Sequence, residues 1–146
     1  MTKTAGQAQI EAMVERLNLL EQSKDALVEK VESFMEQRKE KYGGKALPAD
    51  MGHTQFQDLV GKAGATTSVK EITNFIQYQV GRNSNKKDSS KNKSWAVNSF
   101  GQELIEQVNE VSKMAGTDPE LRIQMVRLFL GYLQRHARYL QETKQG

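Results

Sequence analysis

An enzyme needs a nucleophile, an acid–base pair or a metal held at defined spacing, and this chain offers few such parts. Its only histidines are His53, in a glycine-flanked turn, and His136, far along the last apolar-periodic segment. The first carboxylate after His136 is Glu142, beyond the reach of a neighbouring helical turn. There is no cysteine, hence no thiolate metal site and no disulfide framework. Gly61 and Gly64 are not followed by the Lys and Ser or Thr of a phosphate-cradling loop. Glu29, Glu32 and Glu36 recur at steps of three and four, but acids so spaced need a histidine partner to hold a transition metal, and none stands near. The reading is a non-enzyme with no catalytic residue, no metal set and no cofactor.

The groups that do cluster are cations. Residues 1–66 carry nine basic and ten acidic side chains, and residues 101–146 carry six of each. Residues 67–100 carry six basic against two acidic. Most of that excess lies in "GRNSNKKDSSKNKSW", Gly81–Trp95, where Arg82, Lys86, Lys87, Lys91 and Lys93 face one acid, Asp88. Ammonium groups interleaved with Asn and Ser suit phosphate oxygens. Tyr78 and Trp95 flank the run, and either ring offers a stacking surface for a base; the alternative is a solvated linker with both rings in the core. A second basic stripe lies on the last segment. Arg127 and Arg138, eleven residues apart, return to within about 20° on a helical wheel, and Arg135 lies about 80° away. Gly131 sits between them, where a bound backbone could approach closely. The competing reading is a solvent face with cations favoured near a helix C-terminus.

These groups must be positioned by helices. With 37% hydrophobic and 7% aromatic residues, 146 residues support one domain with a modest core. From Gln7 to about Lys41 no Gly or Pro intervenes, and Ile10, Met13, Leu17, Leu20, Leu27, Val31 and Phe34 fall at alternating steps of three and four. Lys24 takes the one polar place in that seam. This predicts a long N-terminal amphipathic helix, or two helices if Ser23 caps a break, ending at Gly43–Gly44. A shorter helix is expected from His53 to Lys62. The next opens with the Ser68/Glu71 capping box and carries Val69, Ile72, Phe75, Ile76 and Val80 to a C-cap at Gly81. Ser94 is placed to cap a helix from Trp95 to about Ala115, stopped by Gly116. "TDPEL" starts the last, with Thr117 or Asp118 as cap and Pro119 in the first turn. No segment alternates with period two. The fold class is all-α: one domain over residues 1–146, a bundle of about five helices, with 82–93 as a basic mobile loop.

The segments "TTSVKEITNFIQYQVGR", Thr66–Arg82, and "ELRIQMVRLFLGYLQRHARYL", Glu120–Leu140, cover about a quarter of the chain. Their helical texture, with the basic patches and the missing catalytic set, resembles the small subunits of CRISPR effector complexes, closest to the type I-D small subunit. The resemblance implies a non-catalytic helical bundle in an RNA-guided surveillance complex. Its implied partners are the guide RNA, target or non-target DNA, neighbouring subunits and further copies of itself. Such a subunit would touch the guide–target duplex or the displaced strand through phosphate contacts rather than base readout. On this chain, charge and geometry nominate Arg82, Lys86, Lys87, Lys91, Lys93, Arg127, Arg135 and Arg138.

The rival class is a coiled-coil interaction or structural protein with no nucleic-acid role, using the Ile10–Phe34 seam for a partner helix. A membrane-surface role fits less well, since the first segment's polar face is rich in acids rather than Lys and Arg. No run approaches the roughly 18 apolar residues of a membrane span, and no charged-then-apolar leader opens the chain. The expected compartment is the cytoplasm.

Overall fold

The computed structural model describes residues 2–144. Among those residues there are five α-helices: α1 (Ala5–Lys41), α2 (His53–Ala65), α3 (Val69–Asn83), α4 (Phe100–Met114) and α5 (Pro119–Glu142). Two 3₁₀ turns, Ser89–Lys91 and Ser94–Ser99, lie between α3 and α4, and no strand occurs among the described residues.

α1 is continuous for 37 residues. Ser23 does not break it; its hydroxyl donates back to the Leu20 carbonyl, a bond that fits inside a helix. Thr4 and Gln7 cap its start reciprocally: the Thr4 hydroxyl accepts from the Gln7 N–H, and the Gln7 amide oxygen accepts from the Thr4 N–H. The helix ends at Tyr42, where Gly43 and Gly44 take positive φ values of 66° and 91°.

Ion pairs set the directions of packing. Arg16 meets Asp118 at the start of α5, Lys30 meets Glu110 of α4, and Arg38 meets Glu103 near the start of α4. α1 therefore runs parallel to α5 and antiparallel to α4. The core centres on Phe100, whose ring lies 6.4 Å from Phe34, 6.1 Å from Phe56 and 6.0 Å from Trp95. Leu27, Val31, Met35, Leu59, Ile72, Ile76, Leu104, Val108, Val126, Phe129 and Leu133 complete it. α3 and α4 approach closely at Gly101, where a Cβ would stand 2.2 Å from Val80 Cγ2 and 3.0 Å from the Trp95 carbonyl oxygen.

Only half of the expected α1 seam is in that core. Leu27, Val31 and Phe34 are buried and Leu20 packs against them, whereas Ile10, Met13 and Leu17 of the seam are 62%, 56% and 60% exposed, as is their neighbour Val14 at 50%. For Ile10, Met13 and Val14 the reason is length. At about 1.5 Å per residue α1 spans about 55 Å and α5 about 36 Å, so the first turns of α1 have nothing beside them. Arg16 is the first half-buried residue of α1; residues 5–15 project as an arm about 16 Å long.

Three expected helix ends move. α2 runs on to Ala65. α3 passes through Gly81 to Asn83, because polar side chains close its last turn: Asn83 donates to the Gln79 carbonyl and Ser84 to the Val80 carbonyl. α4 begins at Phe100 rather than Trp95, preceded by a kinked turn in which Ser94, Asn98 and Ser99 adopt positive φ. Ser94 caps nothing; its N–H and hydroxyl both donate to Asp50. The Ser68/Glu71 box forms by half. Ser68 accepts from the Glu71 N–H, but the Glu71 carboxylate turns to Lys62 and Thr66, whose hydrogen bonds hold it below the usual carboxylate range.

Candidate nucleic-acid interface

The basic segment has an internal frame. The Asn85 side-chain oxygen accepts from the N–H groups of Lys87 and Asp88, each at 3.0 Å, and the Asn92 side-chain oxygen accepts from the Asn85 N–H at 2.7 Å. The Lys93 N–H returns to the Asn83 carbonyl at 3.0 Å, closing the base of the loop. These Asx-type bonds are why Asn and Asp recur there: their side chains replace the backbone partners a loop lacks. Asp88 is spent on that frame. Its carboxylate accepts from the Ser90 hydroxyl at 2.6 Å and N–H at 3.0 Å, bonds that hold it below the usual carboxylate range. Arg82 stands on the last turn of α3, Lys86 and Lys87 on the outward turn, Lys91 in the first 3₁₀ turn and Lys93 just beyond. All five are exposed, and among the described residues none makes an ion pair. The structure thus presents five uncompensated cations on a hydrogen-bonded scaffold.

The flanking aromatics part company. Trp95 is 2% exposed, packed edge-on against Phe75 and tilted against Phe100, so it serves the core and cannot stack on a base. Tyr78 is 63% exposed and stands one helical turn before Arg82 on α3. It is the one aromatic ring this surface offers.

The α5 arginines do not form a stripe. Arg127 is half-buried and points at α2, its Nε donating to the Ala63 carbonyl at 2.9 Å and its Nη2 to the Thr66 carbonyl at 2.7 Å. It closes the C-terminal carbonyls of α2, which no glycine cap satisfies. Arg135 is exposed, its guanidinium 5.9 Å from the Tyr132 ring, and Arg138 is exposed and paired with Glu142 at 3.1 Å. A Cβ at Gly131 would meet only open space. The C-terminal part of α5 is tied toward the loop through residues 50 and 51: Gln141 donates to the Met51 carbonyl, and Asp50 grips Ser94.

Two features escape sequence reading. A groove of about 630 Å³ between α3, α4 and the start of α5 is lined by Lys70, Lys113 and Arg122 together with Ser68, Asn109 and Ser112, and by no acid. Its cations come from three helices, so no run in the sequence announces it. The second is a buried charge at Arg38, 1% exposed. Its Nε donates to the Ala46 carbonyl at 2.6 Å, and its Nη1 to the Asn98 carbonyl at 3.1 Å and to Glu103 at 3.0 Å; Nη2 finds no protein partner. The rings of Tyr42 and Phe100 lie 4.7 and 5.0 Å from its guanidinium carbon. Burial pushes Glu103 up, but hydrogen bonds from Tyr42 and Lys41 and the Arg38 charge outweigh it and hold the carboxyl below its usual range. One signal was present: the stripe Leu27, Val31, Phe34 steps next onto Arg38.

His53 is exposed on the first turn of α2. His136 is half-buried beside Tyr139, and burial holds its imidazole below the ordinary value. Among the described residues no group of three or more His, Asp or Glu stands together as a metal site, and no helix is long and apolar enough to cross a membrane. Compared with known proteins, the chain matches no family model, no curated protein and no solved structure.

Proposed function

We propose that this chain is a non-catalytic, nucleic-acid-contacting subunit of a multisubunit assembly in the cytoplasm, of the RNA-guided kind that its resemblance to CRISPR small subunits implies. It holds the guide–target duplex or the displaced strand by the phosphates and leaves sequence reading to base pairing. The observation that supports this reading is the set Arg82, Lys86, Lys87, Lys91 and Lys93: five exposed cations without counter-ions, on a loop whose single acid is already engaged. Leaving that many like charges together has a repulsive cost in the free protein, and a phosphate backbone removes it while releasing condensed counter-ions. Five phosphate contacts give a log–log salt slope of about −4.5 on duplex and about −3.5 on a single strand.

The test uses the assembled complex carrying K86A/K87A/K91A/K93A. All four side chains are exposed, so the helical circular-dichroism signal stays unchanged. Nucleic-acid retention across a salt series should lose about three to four units of slope. Retention and slope equal to those of the native complex would make the loop a solvated linker and end the proposal.

A further inference from the structure

We infer that the projecting arm of α1 is a self-association surface, on which a second copy of this chain lays its own arm antiparallel. This stands apart from any role of the lysine loop in binding nucleic acid. Residues 5–15 are all exposed, with Ala12 and Glu15 reaching a hollow beside Ala115 and Asp118, yet the arm opens with a reciprocal Thr4/Gln7 cap and carries Ile10, Met13 and Val14, followed by Leu17, at 50% exposure or more. Three turns of helix are marginal in water without tertiary packing, and a contiguous apolar stripe on an exposed helix marks a docking face.

The stripe does not stop where the arm meets the body. It runs into a groove of about 400 Å³ between α1 and α5, walled by Leu17, Leu20 and Leu128, with Glu21, Lys24 and Arg127 around it. A partner helix lying along the stripe is received by that groove, and the arm of a second copy has the right character. Set antiparallel about a two-fold axis near Glu15, Ile10 of each copy faces Leu20 of the other and Met13 faces Leu17. The two Val14 side chains flank the axis, one residue to either side. Gly6 then falls opposite Lys24, leaving room for its long stem, and Glu21 falls opposite Gln9 rather than another carboxylate.

The parallel arrangement is worse on two counts. It sets Lys24 against its own copy in the seam, and it brings both bundle bodies to the same end, where Leu27, Val31 and Phe34 are already buried at home. The antiparallel pair puts the bodies at opposite ends. It covers on the order of 600 Å² per copy, about 1,200 Å² in all, the lower bound for a specific interface. Association on the order of 10 µM is therefore expected.

The native chain contains no cysteine, so introduced thiols report the register cleanly. Sedimentation of the full-length chain from about 1 to 300 µM should show one chain mass rising to two. Leu17→Glu should weaken the dimer by at least about 100-fold, because both copies lose a buried leucine. Helicity and urea midpoint should hold, since Leu17 is exposed in the monomer. Under mild oxidation an equimolar mixture of Met13→Cys and Leu17→Cys chains should cross-link, whereas each alone should not. A chain that stays monomeric throughout overturns the inference, as does a Leu17→Glu dimer of native affinity. So does a Met13→Cys chain that cross-links to itself as readily as to Leu17→Cys, the mark of parallel pairing.

Discussion

Glu103→Gln tests whether the Arg38 charge is held as the geometry implies. The carboxylate accepts from Arg38 Nη1 at 3.0 Å, Tyr42 Oη at 2.6 Å and Lys41 Nζ at 3.2 Å. Glutamine keeps an oxygen for Arg38, so what is lost is chiefly charge. Hydrogen bonds to ionised groups are worth about 1.5–3 kcal/mol and neutral ones about 0.5–1.5. Two of them weakened cost about 2 kcal/mol. A guanidinium 1% exposed is also left without its counter-charge. Removing one partner of a buried pair costs about 3–5 kcal/mol, and Glu103, 19% exposed at its side chain, belongs at the lower end, near 3 kcal/mol. At about 2–4 °C per kcal/mol for a chain of this size, Tm falls by about 6–12 °C. Urea unfolding reports it through Trp95, the only tryptophan, which is buried between Phe75 and Phe100. Glu106→Gln, an exposed neighbour on α4, is the control and should stay within about 0.5 kcal/mol. Because the pair is buried, raising the salt should leave the loss largely intact. A Glu103→Gln chain within about 0.5 kcal/mol of native, or a deficit that salt erases, would refute the argument.

Arg127→Ala leaves the Ala63 and Thr66 carbonyls unpaired at a half-buried helix end, so stability should fall by about 2 kcal/mol in the same urea assay. Gly131→Ala meets open space inside a helix and should stabilise by about 0.5–1 kcal/mol, whereas Gly101→Ala drives a Cβ into Val80 and the Trp95 carbonyl and should cost about 1–3 kcal/mol. Stability should also decline in two stages on acidification, as followed by urea midpoint against pH. His136 has a lowered folded value, so its neutral form favours the fold and stability drops as pH falls below about 6.5. Glu103 and Asp118, the latter held down first by its hydrogen bond from Arg16, are lowered too; their contribution is complete above the ordinary carboxylate range and is lost below about pH 4.5. A midpoint that is flat from pH 8 to 5 would contradict the His136 assignment, and one that is flat from pH 5 to 2 the carboxylate assignment.

Much of the fold is legible locally because its causes are local. The 3.6-residue period of Val69, Ile72, Phe75 and Ile76, the Ser68 cap, Asp118 before Pro119 and the paired Gly43–Gly44 each act within one helical turn, and the structure places helices and ends where they point. The basic loop is a run, so its charge was legible too. The misses share another cause. Gly81 looked like a helix end, but Asn83 and Ser84 could close the turn further on. Trp95 is in the core, the second of the two readings its sequence position left open, but it is carried there by the kink at Ser94–Ser99 and not by the helix expected to start at that residue. Arg127 shares a wheel direction with Arg138, yet the end of α2 lies beside one and solvent beside the other.

The sequence by itself therefore determined the helices, their order and the charge of the 82–93 segment. The hydrophobic period and the caps are read off residues one to four apart. Only the tertiary structure decided which cations are free and which apolar residues find cover. Arg38 is buried and Arg127 spent, while Lys70, Lys113 and Arg122 converge from three helices. Leu27 is covered and Met13, fourteen residues earlier on the same helix, is not. A helical period tells which residues share a face. Whether that face has a neighbour depends on how far the next helix reaches, and α5 is too short to reach the arm.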